Sequence, residues 1–270
     1  MLSSILSGTR AVLVDMDGVV FRGADLLPGV RGFFNFVYEG RIPWLLVTNS
    51  ARQTPGMYAE RLRQKGIVAT DDCVLTSAMA TAAHLSSSMP AGSRVYAIGE
   101  EGLCKPLRDA GFVLTGPDDT AVDAVVVGLD HHFSYDKLRA ATRYVRGGAH
   151  FYGCNGDPFY PVEDGFAPGA GAILQAIQAA SAVVPRIIGK PARTMFDIAL
   201  SKLGRSAREV VMLGDRLESD IVGAQRVGIP AILVTTGEDS AEDAMQKGIA
   251  PDASCANLDE LVKAWREGLT

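Results

Sequence analysis

The 270-residue chain contains only four cysteines, and their spacing argues against a zinc site or a redox motif. Cys73, Cys104, Cys154 and Cys255 stand far apart in the sequence. We therefore expect reduced thiols in a cytoplasmic protein, where disulfides are rare and a free cysteine packs as a small apolar residue.

Positive charge is also in short supply. Lys and Arg number 26 against 31 Asp and Glu, which gives a net charge of −5, and no long basic run occurs. A nucleic-acid-binding surface needs basic groups to neutralise phosphates. We therefore expect no nucleic-acid partner.

Long apolar runs are missing as well. No segment approaches the roughly 20 apolar residues of a membrane-spanning helix. The first ten residues include Ser-Ser and Ser-Gly-Thr where a secretory signal would be continuously apolar. The sequence thus predicts a soluble, cytosolic protein without a membrane partner.

What the sequence does contain is an alternation of short apolar segments and amphipathic helical patterns. Strands are predicted at residues 10–14, 42–47, 186–188, 209–213 and 229–234. Helices are predicted at residues 57–64, 194–203 and 220–227, each followed closely by glycine. This order indicates an α/β fold with a doubly wound parallel sheet.

The middle of the chain repeats the alternation. Strands are predicted at residues 94–98, 122–129 and 150–154, and helices at 101–110, 134–146 and 169–182. We expect an inserted α/β domain at residues 80–183, with a core formed by residues 1–79 and 184–270.

Two carboxylates, Asp15 and Asp17, follow the first predicted strand. Carboxylates repel a phosphate dianion unless a divalent metal lies between them, so the pair suggests Mg²⁺. One oxygen of Asp15 could then attack phosphorus, while Asp17 protonates the leaving oxygen and later activates water. The same Asp-x-Asp-Gly pattern also occurs in calcium loops and in solvated turns.

A second acidic cluster follows the strand at 209–213. Asp215 could complete an oxygen-rich Mg²⁺ shell together with Asp15 and the backbone carbonyl of Asp17. Asp220 and Ser219 stand at the start of a predicted helix, where either could cap free backbone N–H groups. Asp220 is therefore expected to lie outside the direct metal ligands.

Two more strand ends carry groups suited to phosphate oxygens. Thr48 and Asn49 offer a hydroxyl and an amide, and Lys190 after Gly189 offers a point cation. Each signal is weak by itself, since Thr-Asn often forms a turn and a lone lysine is often solvated. Four polar strand ends in this order point to phosphoryl chemistry.

The ordered set resembles the four motifs of haloacid dehalogenase superfamily phosphatases, and more narrowly their class IIA, NagD-like branch. The matching residues are Asp15-Met16-Asp17-Gly18, Thr48-Asn49, Gly189-Lys190-Pro191 and Gly214-Asp215-Arg216-Leu217 with Asp220. The resemblance implies a Rossmann-like core with a mobile inserted cap, Mg²⁺ dependence and an aspartyl-phosphate intermediate. It assigns Asp15 as nucleophile, Asp17 as acid and base, Thr48 and Lys190 to the phosphate, and Asp215 to the metal.

Some residues depart from the family pattern. Ser50 stands where many relatives have a second Asn, so it is carried over only as a substrate contact to be tested. Tyr160 stands where some relatives place a substrate-contacting His, although a tight turn packed by aromatic rings explains it equally. His131 and His132 resemble cap-loop residues and are expected at the surface.

The motifs leave several functions open. The leading interpretation is hydrolysis of a small phosphorylated metabolite, with phosphoryl transfer or a mutase reaction as alternatives on the same core. Dehalogenation is disfavoured because it needs no acid such as Asp17. A receiver-type binding module would be about half this length and lack the insertion. The resemblance also suggests a homodimer formed through the cap.

Overall fold

The computed structural model describes residues 2–162 and 165–269, and it divides into two units. The first unit is drawn from Met1–Thr48, Tyr58–Leu75 and Lys190–Thr270, and the second from Asn49–Met57 and Thr76–Gly189. The chain therefore leaves the first unit and returns to it, and the short stretch Asn49–Met57 belongs with the second.

The strands, in chain order, are β1 (Ala11–Val14), β2 (Phe21–Arg22), β3 (Asp25–Leu26), β4 (Trp44–Thr48), β5 (Val74–Thr76), β6 (Arg94–Ile98), β7 (Val113–Leu114), β8 (Ala124–Val127), β9 (His150–Gly153), β10 (Phe159–Val162), β11 (Gly165–Pro168), β12 (Arg186–Ile187), β13 (Val210–Gly214), β14 (Ala231–Val234) and β15 (Ala253–Cys255).

The α-helices are α1 (Leu2–Gly8), α2 (Val30–Glu39), α3 (Pro55–Gln64), α4 (Ser77–Ser88), α5 (Glu101–Asp109), α6 (Tyr135–Arg146), α7 (Ala170–Ser181), α8 (Arg193–Leu203), α9 (Val222–Gln225), α10 (Ala241–Lys247) and α11 (Leu258–Leu269). Short 3-10 turns cover Asp71–Cys73 and Ala207–Glu209, and a π turn covers Leu217–Ile221.

The sheet of the first unit has the strand order β15-β14-β13-β1-β4-β5. Strand β1 lies in the middle and pairs in parallel with β13 on one side and β4 on the other. All four residues of β1 are buried, as its continuous apolar sequence predicts for a central parallel strand. The predicted doubly wound α/β core is confirmed.

Helix α2 shows how the sequence builds the layer beside this sheet. Its buried residues Val30, Phe33, Phe34 and Val37 recur at helical spacing and form one apolar stripe. Gly29, just before the helix, has φ = 80°, and a Cβ there would lie 2.2 Å from the backbone nitrogen of Asp259. The helix start therefore requires glycine.

The second unit has its own sheet, with the order β12-β9-β8-β6-β7 and parallel pairing throughout the registered strands. Its core includes Val125, Val127, Tyr144, Leu174 and Ile177. The hairpin of β10 and β11 forms a separate two-stranded sheet. The inserted module thus has a hydrophobic core of its own, as an α/β cap domain requires.

One predicted strand lies in a different sheet from the one expected. The sequence predicts residues 186–188 as a strand of the core, but β12 pairs in parallel with Tyr152 and Gly153 of β9 in the second unit. A strand of only two residues, Arg186 and Ile187, carries no pattern that indicates which of two similar sheets it joins. Lys190 therefore follows a strand of the second unit.

Across the two described stretches of chain, every helix is too short or too polar to cross a membrane.

Candidate active site

Asp15 stands directly after β1, at the carboxyl edge of the central strand pair. Its backbone N–H donates to the carbonyl of Leu213 in the neighbouring β13 at 2.8 Å, which continues the sheet ladder by one residue. The residue is only 8% exposed. The parallel ladder therefore fixes the carboxylate at the position where adjacent strand ends meet.

Lys190 reaches this carboxylate from the start of the final segment. Its Nζ donates to Asp15 Oδ1, lies 2.7 Å from an oxygen of Asp220, and donates to the carbonyl of Val47 at 2.9 Å. The lysine is 3% exposed. All three partners are oxygens, so the buried ammonium is compensated in the way that burial of a charge requires.

Asp215 completes an acidic cluster with Asp15 and Asp220. One carboxylate oxygen from each of the three residues lies within 4.8 Å of the others. Asp215 Oδ2 accepts a hydrogen bond from the backbone of Glu238 at 2.9 Å, whereas its buried Oδ1 has no hydrogen-bond partner among the described residues. An unpaired buried carboxylate oxygen is costly unless a cation binds it.

The electrostatics of the cluster agree with that conclusion. Burial raises the pKa of Asp15 well above its ordinary value despite the opposing effect of Lys190. Burial, aided by the Asp220 carboxylate, raises the pKa of Asp215 to about 7. Burial alone would lower the pKa of Lys190, but Asp15 and Asp220 raise it. The raised pKa values mean that both carboxyls favour their protonated forms unless positive charge beyond that of Lys190 is present, and buried oxygen donors of this kind fit Mg²⁺.

Two glycines let Asp215 approach its neighbours. A Cβ on Gly18, which has φ = 94°, would lie 2.1 Å from Asp215 Oδ2, and one on Gly237 would lie 1.9 Å from the same atom. No side chain fits in either place. The glycine after Asp17 is therefore needed for close approach as well as for its left-handed turn.

Asp220 has a different role from the helix cap considered from the sequence. It lies in the π turn Leu217–Ile221, and α9 has Ile221 at its N-cap with no side-chain cap hydrogen bond. Asp220 Oδ2 instead accepts from the backbone N–H of Arg216 at 3.1 Å, while its other oxygen pairs with Lys190. The capping alternative for Asp220 is wrong, because its two carboxylate oxygens bind the Arg216 N–H and the Lys190 ammonium instead of the N-terminus of α9.

The remaining core predictions fall beside this cluster in the first unit. Thr48 ends β4 and is 3% exposed, one residue after the carbonyl that binds Lys190. Asp17 is exposed at the turn beyond β1. An exposed carboxyl next to a buried one suits a group that exchanges protons with substrate and water.

Three predicted residues belong to the second unit. The Asn49 carbonyl accepts from the Ser77 hydroxyl at 2.7 Å, and Ser50 Oγ accepts from the backbone of Arg52 at 3.5 Å. Tyr160 lies on β10. Their contact with substrate stays a prediction.

The two cap histidines are exposed, as expected, but His131 is engaged in contacts the sequence did not indicate. Its Nε2 lies 3.1 Å from the Tyr160 hydroxyl, and its Nδ1 contacts a carboxylate oxygen of Glu100. Burial would raise the pKa of Glu100, but hydrogen bonds from His131 lower it below its ordinary value. His131 thus joins Tyr160 to a carboxylate.

The segment after β14 is a part of the site that the sequence patterns did not predict. Thr236 Oγ donates to the Gly18 carbonyl at 2.6 Å, and the Glu238 and Asp239 backbones both donate to Asp215. The predicted strand at 229–234 lacks a charged end, so it was not counted among the site-forming strands. The signal was the Thr-Gly-Glu-Asp run two residues further on.

The chain matches known proteins in sequence and in structure. Residues 12–113 match the family model of haloacid dehalogenase-like hydrolases, and residues 187–261 match a second model of the same kind. Acid sugar phosphatase of Staphylococcus aureus is 40% identical over 253 residues, which is 94% of this chain and 96% of that protein.

Two solved structures are similar over most of the chain. NagD of Escherichia coli K-12 has a TM-score of 0.87 and 31% identity, covering 93% of this chain and 98% of its own. Glycerol phosphate phosphatase of Mycobacterium tuberculosis, solved in complex with magnesium, has a TM-score of 0.87 and 32% identity, covering 95% and 77%.

A buried aspartate, lysine and second aspartate at the strand ends, together with these matches, define the class: the chain belongs to the haloacid dehalogenase-like hydrolase family. Within it, the chain falls in the class IIA, NagD-like branch and is a phosphatase. The resemblance drawn from the four motifs is confirmed.

Proposed function

We propose that this phosphatase hydrolyses a small-molecule phosphomonoester with Mg²⁺, through an aspartyl-phosphate formed on Asp15. The observation that carries the proposal is the contact of Lys190 with both Asp15 and Asp220, beside an Asp215 whose buried Oδ1 has no described hydrogen-bond partner. A purely structural ion pair would need one acid for the one lysine, whereas three buried acids lie together here. The additional buried acid fits a cation site.

The metal would be held by Asp15, Asp215 and the backbone carbonyl of Asp17. When bound, it supplies positive charge that offsets repulsion between the acids and a phosphate. The donor set is entirely oxygen, which suits Mg²⁺ rather than a softer transition metal.

The chain's own residues account for the chemical steps. An Asp15 oxygen attacks phosphorus, and the bond between phosphorus and the ester oxygen breaks as Asp17 gives that oxygen its proton. Asp17 then takes a proton from water, and the water oxygen attacks the aspartyl-phosphate. Phosphate leaves and the Asp15 carboxylate is restored. Lys190 favours the ionised form of Asp15 and orients it, and Thr48 binds a phosphoryl oxygen.

The substrate is a small phosphorylated metabolite. Relatives carry the names acid sugar phosphatase and glycerol phosphate phosphatase, so hydroxyl-bearing leaving groups come first among the compounds to test. Asn49, Ser50 and Tyr160 are the residues we assign to substrate contact. Fold alone does not choose among esters.

The proposal is tested with a panel of phosphomonoesters, with and without Mg²⁺, by measuring released inorganic phosphate. We expect Asp15→Asn to abolish turnover, because an amide oxygen is too weak a nucleophile. Transfer of phosphate to an added acceptor at the expense of release would favour a phosphotransferase. A stable phosphoprotein without turnover would favour a binding module.

We also propose a homodimer formed through the second unit. Phe159 and Phe166 on its hairpin stack edge to face and are 52% and 72% exposed. Exposed aromatic pairs are common at interfaces. Light scattering of the wild type and of a Phe166→Ser variant tests it; a monomeric wild type contradicts the proposal.

A further inference from the structure

The four residues Thr236–Asp239, called here the 236–239 loop, follow β14 and contact both acid-bearing turns of the site. Through the Thr236 hydroxyl, the loop binds the carbonyl of Gly18, next to Asp17, at 2.6 Å. Arg22 in turn donates to the Thr236 carbonyl. The loop is therefore joined to the turn that follows β1.

The same loop encloses Asp215. The backbone N–H of Glu238 donates to Asp215 Oδ2 at 2.9 Å, and that of Asp239 donates to the Asp215 carbonyl at 3.1 Å. A Cβ on Gly237 would overlap the carboxylate. Three consecutive residues thus fix both the backbone and the side chain of this acid.

Asp239 holds the loop itself in place. Its side chain is buried, with 7% of the residue exposed, and Oδ2 accepts from the backbone N–H of Leu217 at 2.8 Å. Its Oδ1 accepts from Lys247 at 2.8 Å, and Lys247 also pairs with Glu218 at 2.9 Å. Both carboxylate oxygens therefore have partners, one at the start of the π turn and one on α10.

The hydrogen bond from Leu217 to Asp239 matters because Leu217 lies close to two acids of the site. Leu217 opens the π turn that ends at Ile221 and carries Asp220, and it lies two residues after Asp215. Asp239 thus binds a backbone group on each side of Arg216. Its backbone N–H donates to the carbonyl of Asp215, and its carboxylate accepts from the N–H of Leu217. Such a clamp restricts the rotation of the Asp215 peptide.

We propose that Asp239 is a positioning residue that orients Asp215 for the divalent cation, with Lys247 as its counter-ion. The inference rests on the proposed metal site. Asp239 makes no described contact with the other two acids of the cluster, so it acts through Asp215. Replacing groups that orient a metal ligand typically weakens metal binding about 10- to 100-fold.

The test measures binding of Mn²⁺ alone, without substrate, from the electron paramagnetic resonance signal of the free ion. Mn²⁺ prefers oxygen ligands as Mg²⁺ does. We expect Asp239→Ala to weaken Mn²⁺ binding by roughly 10-fold or more. Asp239→Asn should restore it to within about threefold of the wild type, because the amide oxygen still accepts from the Leu217 N–H.

Asp252→Ala is the matched control. Asp252 also accepts from a backbone N–H in the first unit, that of Ala231 at 2.9 Å, but its described hydrogen bonds do not reach the acidic cluster. We expect this variant to lose stability and keep Mn²⁺ affinity. An equal loss of affinity in Asp239→Ala and Asp252→Ala would overturn the inference, and so would unchanged affinity in Asp239→Ala.

Lys247→Met covers the case in which Asp239→Ala does not fold. The Lys247 side chain is 39% exposed, so the fold tolerates its replacement more easily than that of the buried Asp239. The substitution removes the counter-ion of Asp239. We expect Mn²⁺ affinity to fall by about two- to threefold, as in Asp239→Asn, which loses the same ion pair; unchanged affinity contradicts the inference. A wild type that binds no Mn²⁺ refutes the metal site itself, whereas equal binding by wild type and variants refutes only the role of Asp239.

Discussion

Lys190 is the residue on which the charge balance of the site depends. It is buried between Asp15 and Asp220, so its loss would leave two buried carboxylates without a counter-ion. Removing one member of a buried ionic network is far more costly than removing an exposed ion pair. We therefore expect the loss of Lys190 to affect both phosphatase activity and folding stability.

We expect Lys190→Met to lower the free energy of unfolding by about 3–5 kcal/mol and to abolish phosphate release. Urea denaturation and a phosphate assay measure the two effects. The double variant Lys190→Met with Asp220→Asn should regain part of the stability, since one uncompensated charge is gone, but no activity. Recovery of activity would show that the lysine acts only structurally.

Asp215 gives the metal-free protein a pH-dependent stability. Its pKa in the fold is about 7 against an ordinary 3.8. The folded state thus disfavours the ionised form, and stability present at low pH is lost as the pH rises from about 4 to about 7. We expect Asp215→Asn to be the more stable of the two proteins at pH 8, by roughly 2–4 kcal/mol, when Mg²⁺ is chelated.

Urea midpoints at pH 5 and pH 8 check this. Wild type should lose stability between the two values and Asp215→Asn should lose less. Saturating Mg²⁺ should narrow the difference at pH 8, because the cation stabilises the ionised carboxylate. If, without metal, the wild type gained stability from pH 5 to pH 8 relative to Asp215→Asn, burial would not be raising the pKa of Asp215.

At the scale of elements, the turn after β1 depends on a glycine for two reasons that can be separated. Gly18 has φ = 94° and its missing Cβ leaves room for Asp215. Gly148 has φ = 100° and open space around its missing Cβ. Both alanine variants should lose about 1–2 kcal/mol of stability from the left-handed backbone.

Only Gly18→Ala should also lose phosphatase activity and divalent-cation binding, because its Cβ displaces the Asp215 carboxylate. Thermal denaturation and a phosphate assay of the two variants side by side provide the measurement. Equal activity in both would mean that Asp215 can move aside without consequence.

The sequence predicted the site residues at the ends of the central strands better than it predicted the short elements that join the strands. Asp15 and Asp215 directly follow β1 and β13, and Thr48 ends β4. These three strands are buried along their whole length, as is typical of the middle of a parallel sheet. Lys190 follows a two-residue strand, which the pattern placed in the wrong sheet. The bond between Lys190 and Asp220 was missed too, because the capping pattern of a helix start and the geometry of a π turn look alike in sequence.

The 236–239 loop was missed for another reason. It acts through backbone N–H groups, the Thr236 hydroxyl and the Asp239 carboxylate, and no spacing rule marks these groups as part of a site. Helix α2 was not predicted either, although Val30, Phe33, Phe34 and Val37 recur at the spacing of one helix face.

At the scale of the whole molecule, the two tryptophans report on one unit only. Trp44 and Trp265 are both buried, both lie in the first unit, and they are the only two in the sequence. Asp15 and Asp215 belong to the same unit. Tryptophan emission therefore follows the part of the chain that would bind the cation.

We expect Mg²⁺ to raise the urea midpoint seen by tryptophan emission in the wild type, since a ligand that binds only the folded state stabilises it. At 100 times the dissociation constant the gain is about 2.7 kcal/mol. Asp215→Asn should show no such shift. A shift of equal size in that variant would place the bound ion elsewhere.

The division at Thr48 has a consequence for building chimaeras. The second unit includes Asn49–Met57 as well as Thr76–Gly189, so its borders differ from those of a single inserted stretch. A hybrid enzyme that exchanged only residues 80–183 with a relative would combine a foreign insert with the native residues 49–57 that complete it. Exchanging the second unit between members of this branch therefore calls for a two-piece graft, with both pieces taken from the same donor.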